Sequence, residues 1–274
     1  MKSALKQLVP PLFLNLLKKK SSTPFSPVYS DYDSALAACG KGAYQDEELV
    51  RVVIEKNRIF KSAFAQSRVL DLGALRTVIG AFFARKHDDL RVIDFGGGGG
   101  YHYAIAKAFL GSECSVRWNV VETAAMAKAG RELLAGSELN FFDSIEDARR
   151  DLGRVDLVFS SGALQYCPQP LDFLKSLLAV RAPSLFITRT ALAEGQIQRV
   201  GVQHSMLSWN GPGALPNGYQ DREIAYPIVC ESRSRIEGML GEAYDIRFRI
   251  REDVAAFAIG DQKMDMHGYF CTLR

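Results

Sequence analysis

This sequence predicts an α/β fold with a mostly parallel sheet and helices on both faces, and three observations predict it. The run Arg91-Val92-Ile93-Asp94-Phe95 is β-branched and apolar, five glycines follow (Gly96 to Gly100), and Tyr101, Ile105, Ala108 and Phe109 then recur at helical spacing. That order is a buried strand, a tight loop and a helix. Strand-like and helix-like segments continue to alternate downstream, as parallel sheets require. Finally, 274 residues with 47% hydrophobic and 24% charged content suffice for one good core plus additions, in at most two domains.

Composition excludes several classes. A net charge of +3 is too small for the concentrated basic face of a nucleic-acid binder. The five cysteines, Cys39, Cys114, Cys167, Cys230 and Cys271, are odd in number, far apart and without C-x-x-C, so neither a disulfide framework nor a zinc site is suggested and the cytoplasm is the default compartment. Residues 1–20 join an apolar core, Leu8 to Leu17, to Lys2, Lys6 and the run Lys18 to Lys20. This segment is too short and too Pro-broken to span a bilayer. It either lies on an anionic membrane surface, as a peripheral contact, or packs on the protein itself. Ser21 to Pro27 reads as a linker. The expected division is a basic apolar segment with linker (1–28), a helical cover (29–89) and a nucleotide-binding domain (90–274).

Within the cover, Tyr29 to Tyr44 is polar and dotted with aromatics, including Tyr32 and Tyr44. Helices follow at about 46–66 (Leu49, Val52, Val53, Ile59, Phe60) and 69–86 (Leu72, Leu75, Ile79, Phe82, Phe83). After the glycines come a strand at Val116 to Val121, a helix at 124–134, a strand at Leu139 to Phe142, a strand within Val155 to Ser161, and a helix opened by Pro168 and Pro170. Ser184 to Arg189 is a fifth strand. Residues 191–227, rich in Gly and Pro, read as a long irregular acceptor loop containing Gln203, His204 and Tyr226. A helix at about 231–241 and two strands, Tyr244 to Ile250 and His267 to Leu273, close the chain.

The glycine pattern indicates the ligand. A dinucleotide fingerprint wants a third Gly three residues after the second, but Tyr101 stands there. Acid-x-Gly-x-Gly-x-Gly fits instead, as Asp94, Gly96, Gly98 and Gly100. Glu122 ends the next strand, where a carboxylate can accept both ribose hydroxyls; the other reading is that Glu122-Thr123 caps the next helix. Asp143-Ser144-Ile145-Glu146 after the third strand is a capping box by pattern.

These residues resemble motif I of the class I S-adenosylmethionine-dependent methyltransferases. Val155, Asp156, Leu157, Val158, Leu164 and Tyr166 are similar to a V-D-L-V-x5-L-x-Y/H stretch of small-molecule members. The resemblance implies a Rossmann-like methyltransferase fold, with a mostly parallel seven-stranded sheet, an antiparallel C-terminal hairpin, helices on both faces and an N-terminal helical extension. S-adenosylmethionine would be the cofactor and S-adenosylhomocysteine its product. Asp94 would contact the region of the methionyl amino group, directly or through water, and Asp143 would face the adenine amine. His102, Thr123, Ser144, Ser160 and Ser161 complete the expected cofactor set. No N-P-P-Y or D-P-P-Y follows the fourth strand, which argues against amide or base N-methylation. Looser features, Asp31 to Tyr44, Gly100 to Tyr103, Arg189-Thr190, Gln203 and Tyr226-Pro227, are similar to a methyltransferase family associated with polysaccharide biosynthesis.

The expected acceptor is a small molecule or glycan, O-methylated on a sugar or related metabolite. Tyr32, Tyr44, Gln165, Tyr166, Arg189, Gln203 and Tyr226 are the expected acceptor-side residues. Arg189 either grips a carboxylate or phosphate or makes a surface ion pair. Of the four histidines, His204 is the candidate base because it lies in the acceptor loop; His102 binds cofactor or caps its helix, and His87 and His267 are structural. Rival readings are a nicotinamide oxidoreductase and a non-catalytic cofactor-binding protein of a membrane assembly. Oligomeric state and acceptor identity stay open.

Overall fold

The computed structural model describes residues 25–40, 44, 46–67, 72–85 and 88–274. The readings of residues 1–20 and His87 lie outside them. Its centre is the parallel unit β2 (Asp89–Phe95), β3 (Ser115–Val121), β4 (Leu139–Phe142), β5 (Leu157–Ser161) and β6 (Ser184–Ala193). The sheet runs β4-β3-β2-β5-β6-β10-β9, with β9 (Tyr244–Ile259) and β10 (Gln262–Leu273) forming the antiparallel hairpin. Strand order reverses between β2 and β5, so the crevice of an open α/β sheet lies beyond their carboxyl ends.

Seven strands were expected, and the described residues form ten. The short β1 (Phe25–Ser26) pairs with β9. The other two come from the segment read as an irregular loop, 191–227. There β7 (Arg199–Met206) and β8 (Glu223–Ser232) form a hairpin in register from Arg199↔Cys230 to Met206↔Glu223. The Gly and Pro residues that suggested a loop are concentrated between these strands, and Val200, Val202, Ile228 and Val229 carry the β signal on either side. Strand β6 overshoots the end of β5, and β8 pairs with the overshoot at Leu192↔Glu231. The hairpin therefore rises above the carboxyl end of β5 as a wall of the crevice.

Both faces of the parallel unit are buried because successive side chains point to opposite sides. Leu157 and Phe159 face one layer with Val92, Trp118, Val120 and Phe186; Val158 faces the other with Ile93, Leu174, Leu185 and Leu240. The first layer is covered by α3 (Leu72–Ala84), α4 (Tyr101–Leu110) and α5 (Ala124–Leu133). The second is covered by α6 (Ile145–Leu152), α7 (Pro170–Ala179) and α8 (Arg233–Ala243). Each fully buried aliphatic or aromatic side chain contributes roughly 1.5–3 kcal/mol. Two earlier helices reach the crevice: α1 (Tyr32–Ala38), capped by Asp31 and packed through Ala35 on Val200, Val202 and Val229, and α2 (Glu47–Ser67).

Candidate functional site

The loop after β2 bends through left-handed backbone at Gly96, Gly98 and Gly100. Packing explains most of its glycines. A Cβ would fall 2.2 Å from Ala163 at Gly96, 2.3 Å from the Asp94 carboxylate at Gly97, 2.7 Å from Asn57 at Gly99 and 2.9 Å from Leu139 at Gly100. Only at Gly98 is the nearest atom, on Val53, at an ordinary 3.6 Å. The protein's own atoms thus fill the space beside every glycine of the loop but Gly98.

Beside that opening stands Glu122. Its Oε1 accepts the Gly98 N–H at 3.1 Å and its Oε2 the Thr123 N–H at 2.9 Å. Burial pushes the carboxyl up from 4.5 despite these two bonds, and the charge of Asp94 adds to the rise. A carboxylate has about four acceptor positions, so a diol could still bind. Thr123 caps α5 by accepting the Met126 N–H. The alternatives for this pair are thus divided between them: Thr123 caps, while Glu122 turns to the glycine loop.

Asp94 requires a correction. It is wholly buried, with Trp118 Nε1 donating to Oδ2 at 2.9 Å and His102 Nδ1 within 3.0 and 3.1 Å of the two oxygens. It braces the underside of the loop, with both oxygens engaged inside the protein instead of facing the crevice. His102, packed edge-on against Phe159 at 4.9 Å, belongs to the same brace, not to a helix cap. Asp143 is exposed. The cap of α6 lies one residue later than expected, where Ser144 accepts the Asp147 N–H; Glu146 instead pairs with Arg149. This leaves the Asp143 carboxylate uncommitted at the end of β4.

Across the crevice, residues distant in sequence converge. Tyr44, Tyr166 and Tyr226 form a ring trio with centroids 4.7 to 5.3 Å apart. Burial raises the Tyr44 and Tyr166 phenols well above 10, and Glu122 lies near enough to add to the rise at Tyr44. Tyr166 donates to Gln203 Oε1 at 3.1 Å, Gln203 donates to the Tyr226 hydroxyl at 3.4 Å, and Tyr32 donates to the Tyr166 carbonyl at 3.4 Å. Gln165 is buried and donates to the Arg189 carbonyl at 3.2 Å. The seven residues expected on the acceptor side are therefore linked to one another in a single cluster. Ser160 Oγ, at the end of β5, is buried without a hydrogen-bond partner, as are Gln165 Oε1, Thr188 Oγ1 and Thr190 Oγ1; Ser161 is half-buried beside Thr188.

His204 is not in this group. On β7 its side chain alternates with that of Gln203, so it faces solvent, 59% exposed, with Nδ1 2.8 Å from Glu223. His267 is buried on β10 near Glu194, and burial lowers its pKa. Among the described residues, Glu194, Asp265 and His267 bring possible ligand atoms within 4.8 Å of one another. Arg233 and Arg251 already hold the two carboxylates.

Sequence reasoning missed the contribution of α2. Lys56 is almost wholly buried, and its Nζ donates to the Ser208 carbonyl at 2.7 Å. Ser208 in turn bonds Asp221 through both its N–H and its hydroxyl, and a Cβ on Gly211 would lie 3.5 Å from the Val53 Cα. The 207–222 connection is thereby tied down beside the glycine loop. A signal was available: Leu49, Val52, Val53, Lys56 and Phe60 share the apolar stripe, and a lysine there must find an acceptor.

No family model and no curated protein matches the chain. Among solved structures it is similar to an S-adenosylmethionine-dependent methyltransferase from Aquifex aeolicus (14% identity, 74% of this chain and 94% of that chain, TM-score 0.40). It is similar also to one from Clostridium acetobutylicum (9% identity, 79% and 98%, TM-score 0.43). A third is the O-methyltransferase TomG from Streptomyces achromogenes, solved with S-adenosylmethionine (14% identity, 88% and 96%, TM-score 0.41). Independently of these, strand order and direction make the chain a mixed α/β protein with a mostly parallel, Rossmann-like sheet and an antiparallel C-terminal hairpin.

Proposed function

We propose that this chain transfers the methyl group of S-adenosylmethionine to a small-molecule acceptor, and that the group methylated is a hydroxyl, as on a sugar or related metabolite. The observation carrying the reading is the Glu122 carboxylate, hydrogen-bonded to Gly98 at the switch point of the sheet. The residues present fit the cofactor. Glu122 retains acceptor capacity for a ribose diol, Gly98 leaves its main chain approachable, Asp143 is free for an amine, and the Ser160 hydroxyl lacks a partner. When bound, the cofactor supplies a sulfonium-activated methyl group.

The protein's own task is to orient and to exclude water. Tyr44 lies near Glu122 and also packs, tilted, against Tyr166 and Tyr226, so it links the two sides of the crevice. The raised phenols stay protonated and act as hydrogen-bond donors, not as bases. With His204 facing away, positioning is the main contribution, worth up to roughly 7–11 kcal/mol in ideal intramolecular cases. Calorimetric titration with S-adenosylmethionine and S-adenosylhomocysteine tests the reading. Micromolar binding is expected, and absence of binding to the intact chain overturns it; titration with nicotinamide dinucleotides then tests the rival. The basic segment at 1–20 is a separate proposal, a peripheral membrane contact; among the described residues no helix is long and apolar enough to cross a membrane.

A further inference from the structure

Two described residues other than glycine have positive φ, Arg181 and Arg189. Arg181 follows the last turn of α7, where left-handed backbone is the ordinary way to end a helix. Arg189 has no such excuse. It lies inside β6 at φ 54°, opposite a register shift in which Thr188 and Arg189 together face Gly268 between the pairs Ile187↔Tyr269 and Thr190↔His267. This is a β-bulge, a device that re-aims a side chain at the cost of a ladder contact. Gly268 makes room for it, since a Cβ there would sit 3.0 Å from the Thr188 hydroxyl.

The bulge is held from both sides. Gln165 donates to the Arg189 carbonyl, and the Gly162 N–H donates to the Thr188 carbonyl at 2.9 Å. The guanidinium is set beside Gly162, whose missing Cβ would lie 3.8 Å from the Arg189 Cζ, and its charge reaches the Tyr166 hydroxyl. Among the described residues Arg189 has no carboxylate within ion-pair distance, whereas Arg233, Arg249, Arg251 and Arg274 each have one. A strained backbone thus holds an unpaired, exposed guanidinium at the edge of the tyrosine trio.

We infer that Arg189 is a binding group for an oxyanion, carboxylate or phosphate, carried by the acceptor. Its planar fork matches either anion bidentately. The inference rests on the methyl-transfer reading for the word acceptor, but not for the anion site itself.

The test follows the Arg189 Nε–H resonance by NMR in the full chain, assigned by its loss in Arg189→Gly, during separate titrations with inorganic phosphate and with acetate. Arg247 is the internal control, being exposed with no carboxylate partner among the described residues. The expected result is saturable movement at Arg189, at least tenfold tighter than at Arg247. The tighter of the two anions identifies the acceptor's group. Equal response at both arginines overturns the inference, because it is then ordinary surface binding. Arg189→Gly should fold with an unreduced melting temperature, since glycine suits positive φ; a clear loss of stability would mean that the arginine serves the fold, and that too overturns the inference. S-adenosylhomocysteine titrated into the same samples separates the two readings. If it fails to bind while Arg189 saturates, methyl transfer falls and the anion site stands.

Discussion

The two sides of the crevice are built from different materials. On the β2–β3 side, main-chain N–H groups and acids are drawn together over a few residues: Gly98 and Thr123 donate to Glu122, and Asp94 is enclosed by Trp118 and His102. On the β5–β8 side, rings and amides are drawn from positions far apart: Tyr44, Gln165, Tyr166, Gln203 and Tyr226. The first side suits a fixed polar ligand. The second packs aromatic rings against one another around a few amide donors. Even the two acids on the first side differ. Asp94 spends its oxygens inside the protein, whereas Glu122 keeps acceptor capacity.

That difference should decide the largest mutational effect. Glu122→Ala should weaken S-adenosylhomocysteine binding on the order of 100-fold or more by calorimetry, because two charge-assisted hydrogen bonds at about 1.5–3 kcal/mol each are lost. The wild-type pH dependence sharpens the point. Because burial raises the Glu122 carboxyl above 4.5, affinity should fall while pH is still above the range of an ordinary carboxylate. Stability moves the opposite way. The folded state holds this proton more tightly than the unfolded chain, so this residue's contribution to stability declines as pH rises from 4.5 through the raised value.

Asp94 should respond through the fold. Gly97→Ala would place a methyl 2.3 Å from its Oδ2, and a carboxylate fixed by Trp118 and His102 cannot move aside. A loss of about 1–3 kcal/mol is expected in denaturant unfolding. Unchanged stability would show that the brace is slack.

Lys56 tests the tie between α2 and the 207–222 connection. Burial lowers its pKa below 10.5, so the unfolded chain binds this proton more tightly and stability rises with pH through the window just below 10.5. Lys56→Met should lack that alkaline rise in melting temperature while releasing Ser208. A parallel pH profile in the variant would remove the buried charge from the account.

How much of this was legible in the sequence follows from the range of each interaction. The strand, glycine loop and helix at 89–110, and Glu122 after the next strand, are local patterns, and the structure keeps their boundaries to within a few residues. The fate of Asp94 was hidden because its partner Trp118 lies 24 residues away on a neighbouring strand. Residues 207–222 do form a connection, but β7 and β8 were masked by the Gly and Pro between them. The convergence of Tyr44 on Tyr166 and Tyr226 depends on pairings of non-adjacent segments that no local period reports. The Arg189 side chain could be named as an anion ligand from its type alone, but its backbone strain could not.

Gln203 and His204 set the smallest expected effect, and they do so as neighbours. On a strand, consecutive side chains point to opposite faces, so a loop reading could credit both with a role in the crevice and a strand reading only one. Gln203 carries the bond from Tyr166 and passes one to Tyr226; His204 pairs with Glu223 in solvent. Gln203→Ala should raise the acceptor KM several-fold with cofactor affinity intact, because only the ring trio loses its fixed orientation. His204→Ala should leave turnover within about twofold and stability within roughly 0.5 kcal/mol, the range of an ordinary surface change. Should His204→Ala instead abolish turnover with cofactor binding retained, β7 must turn over during the reaction to bring the imidazole inward. The division of the crevice into a polar side and an aromatic side would then describe only the unliganded state.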